Sequence, residues 1–267
     1  MHFYNVRQVE PWLYSIYDPL YVYCYLAVGE KKALLYDSVF GIGNLYEVID
    51  RITDKPVTVV LGHAHVDHAN GAFQFETVYL DDREMELFSL HTSAEYRKNS
   101  YKRLIEAGFM IPHGFDLDTY LCAGISVDEL KIMRPGMKFD LGGLVCEVID
   151  MAGHTPGSVG LLFKDRKTLL VSDAANAHMW IFLKESLSIK KYIRMLDRTY
   201  RYDFDKFYTG HMKGAQPKDI MMKYKKAALD ASMDKAVPYE FNTEHEAYFY
   251  EDKESKVGIV FTGDKLR

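Results

Sequence analysis

The run Gly62-His63-Ala64-His65-Val66-Asp67-His68 places three imidazoles and a carboxylate in one short loop, directly after the apolar, β-branched segment 56–61. His63 and His65 are two apart, so an extended segment sends both rings to the same side. Asp67 and His68 follow where the chain is expected to turn into a helix. Imidazole and carboxylate are the usual ligands of catalytic zinc, whose sites keep one position for water. The loop therefore suits two nitrogens on one metal and a carboxylate plus an imidazole on a neighbour. Three further candidates stand after expected strands: His154 after 144–150, Asp173 after 168–172 and His211 after 206–209. Strands that deliver histidines and aspartates from their ends are how a rigid sheet presents a metal site.

Those strands recur along most of the chain. Segments 12–17, 20–28 and 32–38 are rich in Tyr, Val and Leu, with Gly29-Glu30-Lys31 as a hairpin turn. A short helix over 45–52 and strands over 56–61 and 77–80 follow. From 81 to 134 the character changes. Asp81-Asp82 can cap a helix through Leu90, and Thr92 with Glu95 fits a capping box opening a second helix that ends near Gly108. Strands resume over 138–141, 144–150, 159–163 and 168–172. A helix over 188–201 carries Ile189, Ile193 and Leu196 on one face, and Pro217 suits the first residue of another. The tail, 239–241, 247–250 and 258–261, returns to strands. No flexible linker brackets 81–134, so the expectation is a single domain, 1–267, with 81–134 as a mostly helical insertion or lid.

The motifs are similar to those of a known family. His63-Ala-His65-Val-Asp67-His68 matches the H-x-H-x-D-H motif of the metallo-β-lactamase superfamily, and Gly-His154-Thr-Pro-Gly-Ser, Ser-Asp173 and Gly-His211 match its later ligands in order. The resemblance runs from about residue 20 to His211, outside the insertion, and fills every ligand position. It implies an α+β fold, a four-layer αββα sandwich with metals at one edge of the paired sheets. It also implies two divalent metal ions, zinc first, with manganese or iron as alternatives for such a nitrogen and oxygen set. His63, His65 and His154 would hold the first metal, Asp67, His68 and His211 the second, and Asp173 would bridge them. Asp37 matches the acidic residue that the family places under the histidine loop, where it orients ligands instead of binding metal. Asp67 is also the expected catalytic residue, orienting the attacking hydroxide or passing its proton to the leaving group. The implied reaction class is metal-assisted hydrolysis.

Composition narrows the substrate and the setting. Thirty-three basic against thirty-eight acidic side chains leave a formal charge of −5, which argues against a general nucleic-acid binder. Hydrophobic residues at 48% and charged residues at 27% exclude a disordered or fibrous chain. Three widely spaced cysteines, with no C-x-x-C, suit a reducing compartment and give no cysteine zinc site. With no secretory signal and no apolar run of membrane-spanning length, the expectation is a cytoplasmic protein acting on a small-molecule substrate, with neither nucleic acid nor membrane as partner. Aspartate at 173 looks more like glyoxalase II and lactonase relatives than cysteine-ligand β-lactamases, so the leading substrate is a lactone, thioester or β-lactam. The alternatives are a phosphodiesterase or nuclease, a di-iron redox protein, and a non-catalytic metal-binding protein. His2, His91, His113, His178 and His245 are read as incidental, though the segment at His178 and Trp180 could line the pocket. Cys146 is read as a buried inert thiol, and Lys213 as a solvated surface charge. Tyr96, Tyr101 and Tyr120 are candidates to cover the site.

Overall fold

Alternating and β-branched runs in the first half build one sheet whose strand ends carry the first histidine motif. The computed structural model describes residues 3–106, 108–241 and 246–266, and the chain divides into two units, Met1–Glu147 and Val148–Arg267. The first unit holds a seven-stranded sheet in chain order: β1 (Asn5–Glu10), β2 (Leu13–Tyr17), β3 (Tyr23–Val28), β4 (Ala33–Tyr36), β5 (Val57–Val60), β6 (Val78–Asp81) and β7 (Lys131–Met133). Strands β1 to β4 pair antiparallel, and β4 to β7 pair parallel. Parallel strands need crossovers. Helix α1 (Leu45–Asp50) supplies the first, capped by the Asn44 side chain, which accepts from the Glu47 amide.

The segment between β6 and β7 is helical as expected, with α3 (Met85–His91), α4 (Ala94–Glu106) and α5 (Leu117–Cys122) following the single turn α2 (Val66–Ala69) after β5. Two details differ from the sequence reading. Ser93, not Thr92, caps α4, its Oγ accepting from the Tyr96 amide, while the Thr92 hydroxyl donates back to the Phe88 carbonyl. The segment also ends inside the sheet, because 131–133 pairs with β6. The unit closes on the hairpin β8 (Lys138–Asp140) and β9 (Val145–Asp150), whose first residues pair as Lys138 with Glu147 and Asp140 with Val145.

In the second unit, β9 continues into a sheet of order β14-β13-β11-β10-β9, formed with β10 (Val159–Phe163), β11 (Thr168–Ser172), β13 (Lys206–Thr209) and β14 (Gln216–Pro217). A second sheet, of order β12-β17-β16-β15, is built from β12 (His178–Ile181), β15 (Val237–Tyr239), β16 (Ala247–Glu251) and β17 (Gly258–Phe261). Helices α6 (Ile189–Thr199) and α7 (Ile220–Asp230) pack Tyr192, Leu196, Met221 and Tyr224 into the apolar core of this unit, together with Ile149, Leu169, Phe207 and Ile259. Pro217 is a strand residue rather than the start of α7, because its partner is Lys206 at the edge of the sheet. Among the described residues no helix is long and apolar enough to cross a membrane.

The loops after β4 and after α2 nest backbone against backbone. A Cβ on Gly71 would stand 2.0 Å from the Ser38 carbonyl oxygen, and one on Gly41 would stand 2.8 Å from the Asn70 oxygen. Ser38 donates its amide to the His68 carbonyl at 2.7 Å, and Gly71 donates to the Val39 carbonyl at 3.2 Å. The Gly71→Ala substitution should therefore lower unfolding stability by about 2–3 kcal/mol, as overpacking does where backbone has to move. Urea denaturation reads this directly, and an unchanged midpoint would show that the two loops can separate freely.

Candidate metal centre

Open parallel sheets place functional groups beyond the carboxyl ends of their strands. The first unit follows that rule at three neighbouring strands. Strand β4 leads into Asp37, β5 into the histidine motif and β6 into Glu84. His65 is extended and α2 begins at Val66, so Asp67 and His68 lie on a helical turn as expected. His63, His65 and His68 are all buried, and the Asp67 side chain is partly open.

The geometry shows how each ring is aimed. Asp37 Oδ1 accepts the Gly62 amide at 2.7 Å, and its Oδ2 lies 3.1 Å from His68 Nδ1. That contact fixes a proton on Nδ1 and leaves the Nε2 lone pair for a ligand bond. His68 Nε2 lies 3.4 Å from Asp67 Oδ2. His63 Nε2 faces His65 Nδ1 at 3.1 Å, and the ring centroids of His63 and His68 are 4.5 Å apart. Two buried ring nitrogens that face each other need a proton or a cation between their lone pairs. Asp37, His63 and His68 bring ligand-type atoms within 4.8 Å of one another, and because both Asp37 oxygens are engaged by the Gly62 amide and by His68, it is the imidazoles that are left to face a metal ion.

Two residues in this region escaped the sequence reading. Glu84, fully buried, accepts the Ala64 amide on Oε2 at 3.0 Å, which pins the residue between the first two histidines. Its position just past the end of β6 was the available signal. His91, read as incidental, lies against His65 with ring centroids 4.9 Å apart, and its Nδ1 accepts the Val66 amide at 3.1 Å. Tyr96 extends the stack, 4.4 Å from His91.

The second unit gathers the other three candidates. His154 is buried in the turn after β9, where Met151 donates its amide to the Ser158 carbonyl at 2.9 Å and the Thr155 and Ser158 hydroxyls meet at 2.7 Å. Its Nδ1 bonds the Trp180 carbonyl at 2.8 Å, which leaves Nε2 facing Asp173 Oδ2 at 3.8 Å. Asp173 follows β11 directly, after Ser172 in the left-handed region at φ 49°. The Gly210 amide donates to the Ser172 carbonyl at 2.8 Å, which draws together the ends of the parallel strands β11 and β13. His211 Nε2 thus comes to 3.1 Å from Asp173 Oδ2. In both units an acceptor on one ring nitrogen leaves the other ready for metal, and the donors are the nitrogen and oxygen atoms that divalent metals take.

This arrangement of strand-end histidines and aspartates matches a known sequence pattern: a model of the metallo-beta-lactamase superfamily fits residues 17–211. The chain belongs to the metallo-beta-lactamase superfamily. Among solved structures it is similar to an archaeal superfamily protein from Sulfolobus tokodaii, with TM-score 0.59 and 19% identity, over 87% of this chain and 90% of that one. It is also similar to a stereoselective inverting sec-alkylsulfatase from Pseudomonas sp., with TM-score 0.65 and 16% identity, over 85% of this chain and 42% of that one. These likenesses give the α+β metallo-beta-lactamase fold. Among curated proteins the chain is 24% identical over 161 residues to the acyl-coenzyme A thioesterase MBLAC2 of Bos taurus, and 26% identical to that of Homo sapiens. Each match spans 56% of this chain and 56% of the relative's length.

The remaining candidates stand apart from the histidine and aspartate clusters described above. His178 is exposed at 55%, near Glu251 and edge-on to Phe249, so in that segment the backbone of Trp180 makes the contact with His154. Cys146 is buried in β9, and desolvation pushes its thiol up to about 12, as expected of an inert core cysteine. His113 and Lys213 are exposed, while His2 and His245 lie outside the described residues. Removing the charge under His68 isolates its orienting role. Asp37→Asn should lower metal affinity by about 10- to 100-fold, the usual cost of losing a group that supports a ligand. Chelator competition measures it, and wild-type affinity in this variant would contradict the orientation argument.

Proposed function

We propose that the chain is a dinuclear metal-dependent hydrolase of a small ester-like substrate, with thioesters first and lactones and β-lactams as the related class. The observation that carries the reading is the matched pair of orienting contacts, Asp37 on His68 and the Trp180 carbonyl on His154, each of which frees Nε2 for a ligand bond. The thioesterase names of the curated relatives support the substrate class. In this reading His63, His65 and His154 hold one divalent ion, Asp67, His68 and His211 hold the other, and Asp173 is shared, with zinc as the first choice and manganese or iron as alternatives.

When bound, the metals supply positive charge that acidifies a water to near neutrality and polarises the substrate carbonyl. The chain's own residues do the rest. Buried His63, His65 and His154 exclude bulk water and keep their rings fixed. Asp67 and His211 are more open to solvent, with side chains 23% and 36% exposed, so they are the ones that a substrate meets. Asp67 carries the carboxylate that accepts a proton from the attacking water and returns it to the leaving thiolate or alkoxide. Three free cysteines, two of them buried, fit a reducing, cytoplasmic setting.

Metal analysis paired with a panel of thioesters, lactones, β-lactams and phosphodiesters tests this reading. Two equivalents of metal and turnover on the thioester or lactone are expected. Asp67→Ala should lower kcat by about 100- to 10,000-fold, the range of a positioned proton carrier. His154→Ala should lose metal as well as turnover. A wild type that takes up no metal and turns over none of the panel would end the hydrolase reading, and cleavage of phosphodiesters alone would replace the substrate class.

A further inference from the structure

Arg97, in the middle of α4, is buried to 1% exposure and pairs with no carboxylate among the described residues. Its guanidinium is held by neutral groups. Nε donates to Asn70 Oδ1 at 3.3 Å and Nη1 to the Tyr120 carbonyl at 3.1 Å, while the plane lies 5.3 Å from the Phe73 ring centre and 5.6 Å from that of Tyr120. Tyr120, on α5, closes the network. Burial raises its pKa, so the hydroxyl remains a donor and gives its proton to the Phe40 carbonyl at 2.9 Å, while accepting from Asn70 Nδ2 at 3.4 Å.

Every group at the far side of this network belongs to the two nested loops. Asn70 and Phe73 follow His68 by two and five residues, and Phe40 follows Asp37 by three. Between them the backbone is strained. Asp37 and Val39 sit at φ 64° and 53°, and a β-branched residue in the left-handed region persists only where its surroundings over-determine it. The loops meet through the Ser38 and Gly71 amides, so a shift of either loop moves the Asp37 carboxylate relative to the His68 ring.

We propose that Arg97 and Tyr120 are positioning residues for the metal ligands, a clamp by which the helical insertion holds Asp37 and His68 in register. The inference rests on the reading above, in which His68 binds metal. Arg suits the role because its planar fork bonds the Asn70 loop and the α5 backbone at once while lying over two rings, a geometry that lysine lacks, and the Tyr120 hydroxyl carries the link on to the Phe40 carbonyl.

The test compares wild type, Tyr120→Phe, Arg97→Met and Arg97→Lys, by metal affinity from chelator competition, by peptide-level hydrogen exchange over 37–43 and 66–74 in the metal-free protein, by thermal melting and by hydrolysis. Tyr120→Phe removes one hydroxyl and is expected to keep its melting temperature within a few degrees. It should exchange faster in both segments, bind metal about 10-fold more weakly and lose kcat with KM unchanged. Arg97→Met should show a larger loss of affinity, and Arg97→Lys should not restore it. If Arg97→Met fails to fold, Tyr120→Phe decides. Metal-loaded wild type alongside a Tyr120→Phe variant of equal metal affinity overturns the clamp alone. A wild type that takes up no metal overturns the functional reading and the clamp's role together.

Discussion

One carboxylate sets the geometry of the first histidine motif. Asp37 reaches from the end of β4 to the Gly62 amide and to His68 Nδ1, at 2.7 Å and 3.1 Å. The first contact fixes where the histidine loop leaves β5, and the second fixes which way its last ring faces. A buried carboxylate is costly unless its oxygens are hydrogen-bonded, and here each oxygen has a partner. The backbone meets this demand with residues in left-handed conformations at Asp37 and Val39, which cost of order 1–3 kcal/mol each. Strain of that size is tolerable only because the nested loops leave no alternative path for the chain.

The two units aim an imidazole in the same way with different acceptors. His68 uses a carboxylate, and His154 uses the carbonyl of Trp180. The difference is chemical. A carboxylate partner raises the basicity of the ring more than a neutral carbonyl does, and it adds negative charge. The carbonyl brings rigidity instead, since Trp180 lies in β12, held along its length by parallel pairing with β17. Charge therefore supports the imidazole that neighbours the more open Asp67, and a fixed strand supports the one buried among turn residues.

Much of this was legible in the sequence, and the exceptions have physical causes. The strands 159–163, 168–172 and 206–209 stand where the sequence reading placed them, because short runs of aliphatic, β-branched and aromatic residues that stop at Lys164-Asp165, Asp173 and Gly210 leave little choice. The motif loop was readable because spacing of two in an extended segment and a following turn are local properties. Glu84 and His91 were not, since their partners are amides of residues 64 and 66, about twenty and twenty-five positions away. Pro217 was misplaced because its fixed φ suits the first turn of a helix and an edge strand equally, and only pairing with Lys206 decides between them. Thr92 lost the cap to Ser93 for a similar reason: its hydroxyl found the Phe88 carbonyl of the preceding helix first.

Arg97 illustrates a limit of another kind. A cation in the middle of a polar helix ordinarily goes to solvent, yet this one is buried, and its partners among the described residues are neutral. Replacing a buried charge by an apolar side chain of similar volume is often neutral or stabilising, so stability alone does not explain an arginine here. Geometry does. An apolar residue would fill the space between Phe73 and Tyr120 but would bond neither Asn70 nor the Tyr120 carbonyl, and the two loops that Arg97 and Tyr120 link together carry His68 and the acid that aims its ring. Directional bonds fix relative position where apolar contact fixes only proximity. A site whose ligand geometry depends on loops, rather than on strands, needs the former.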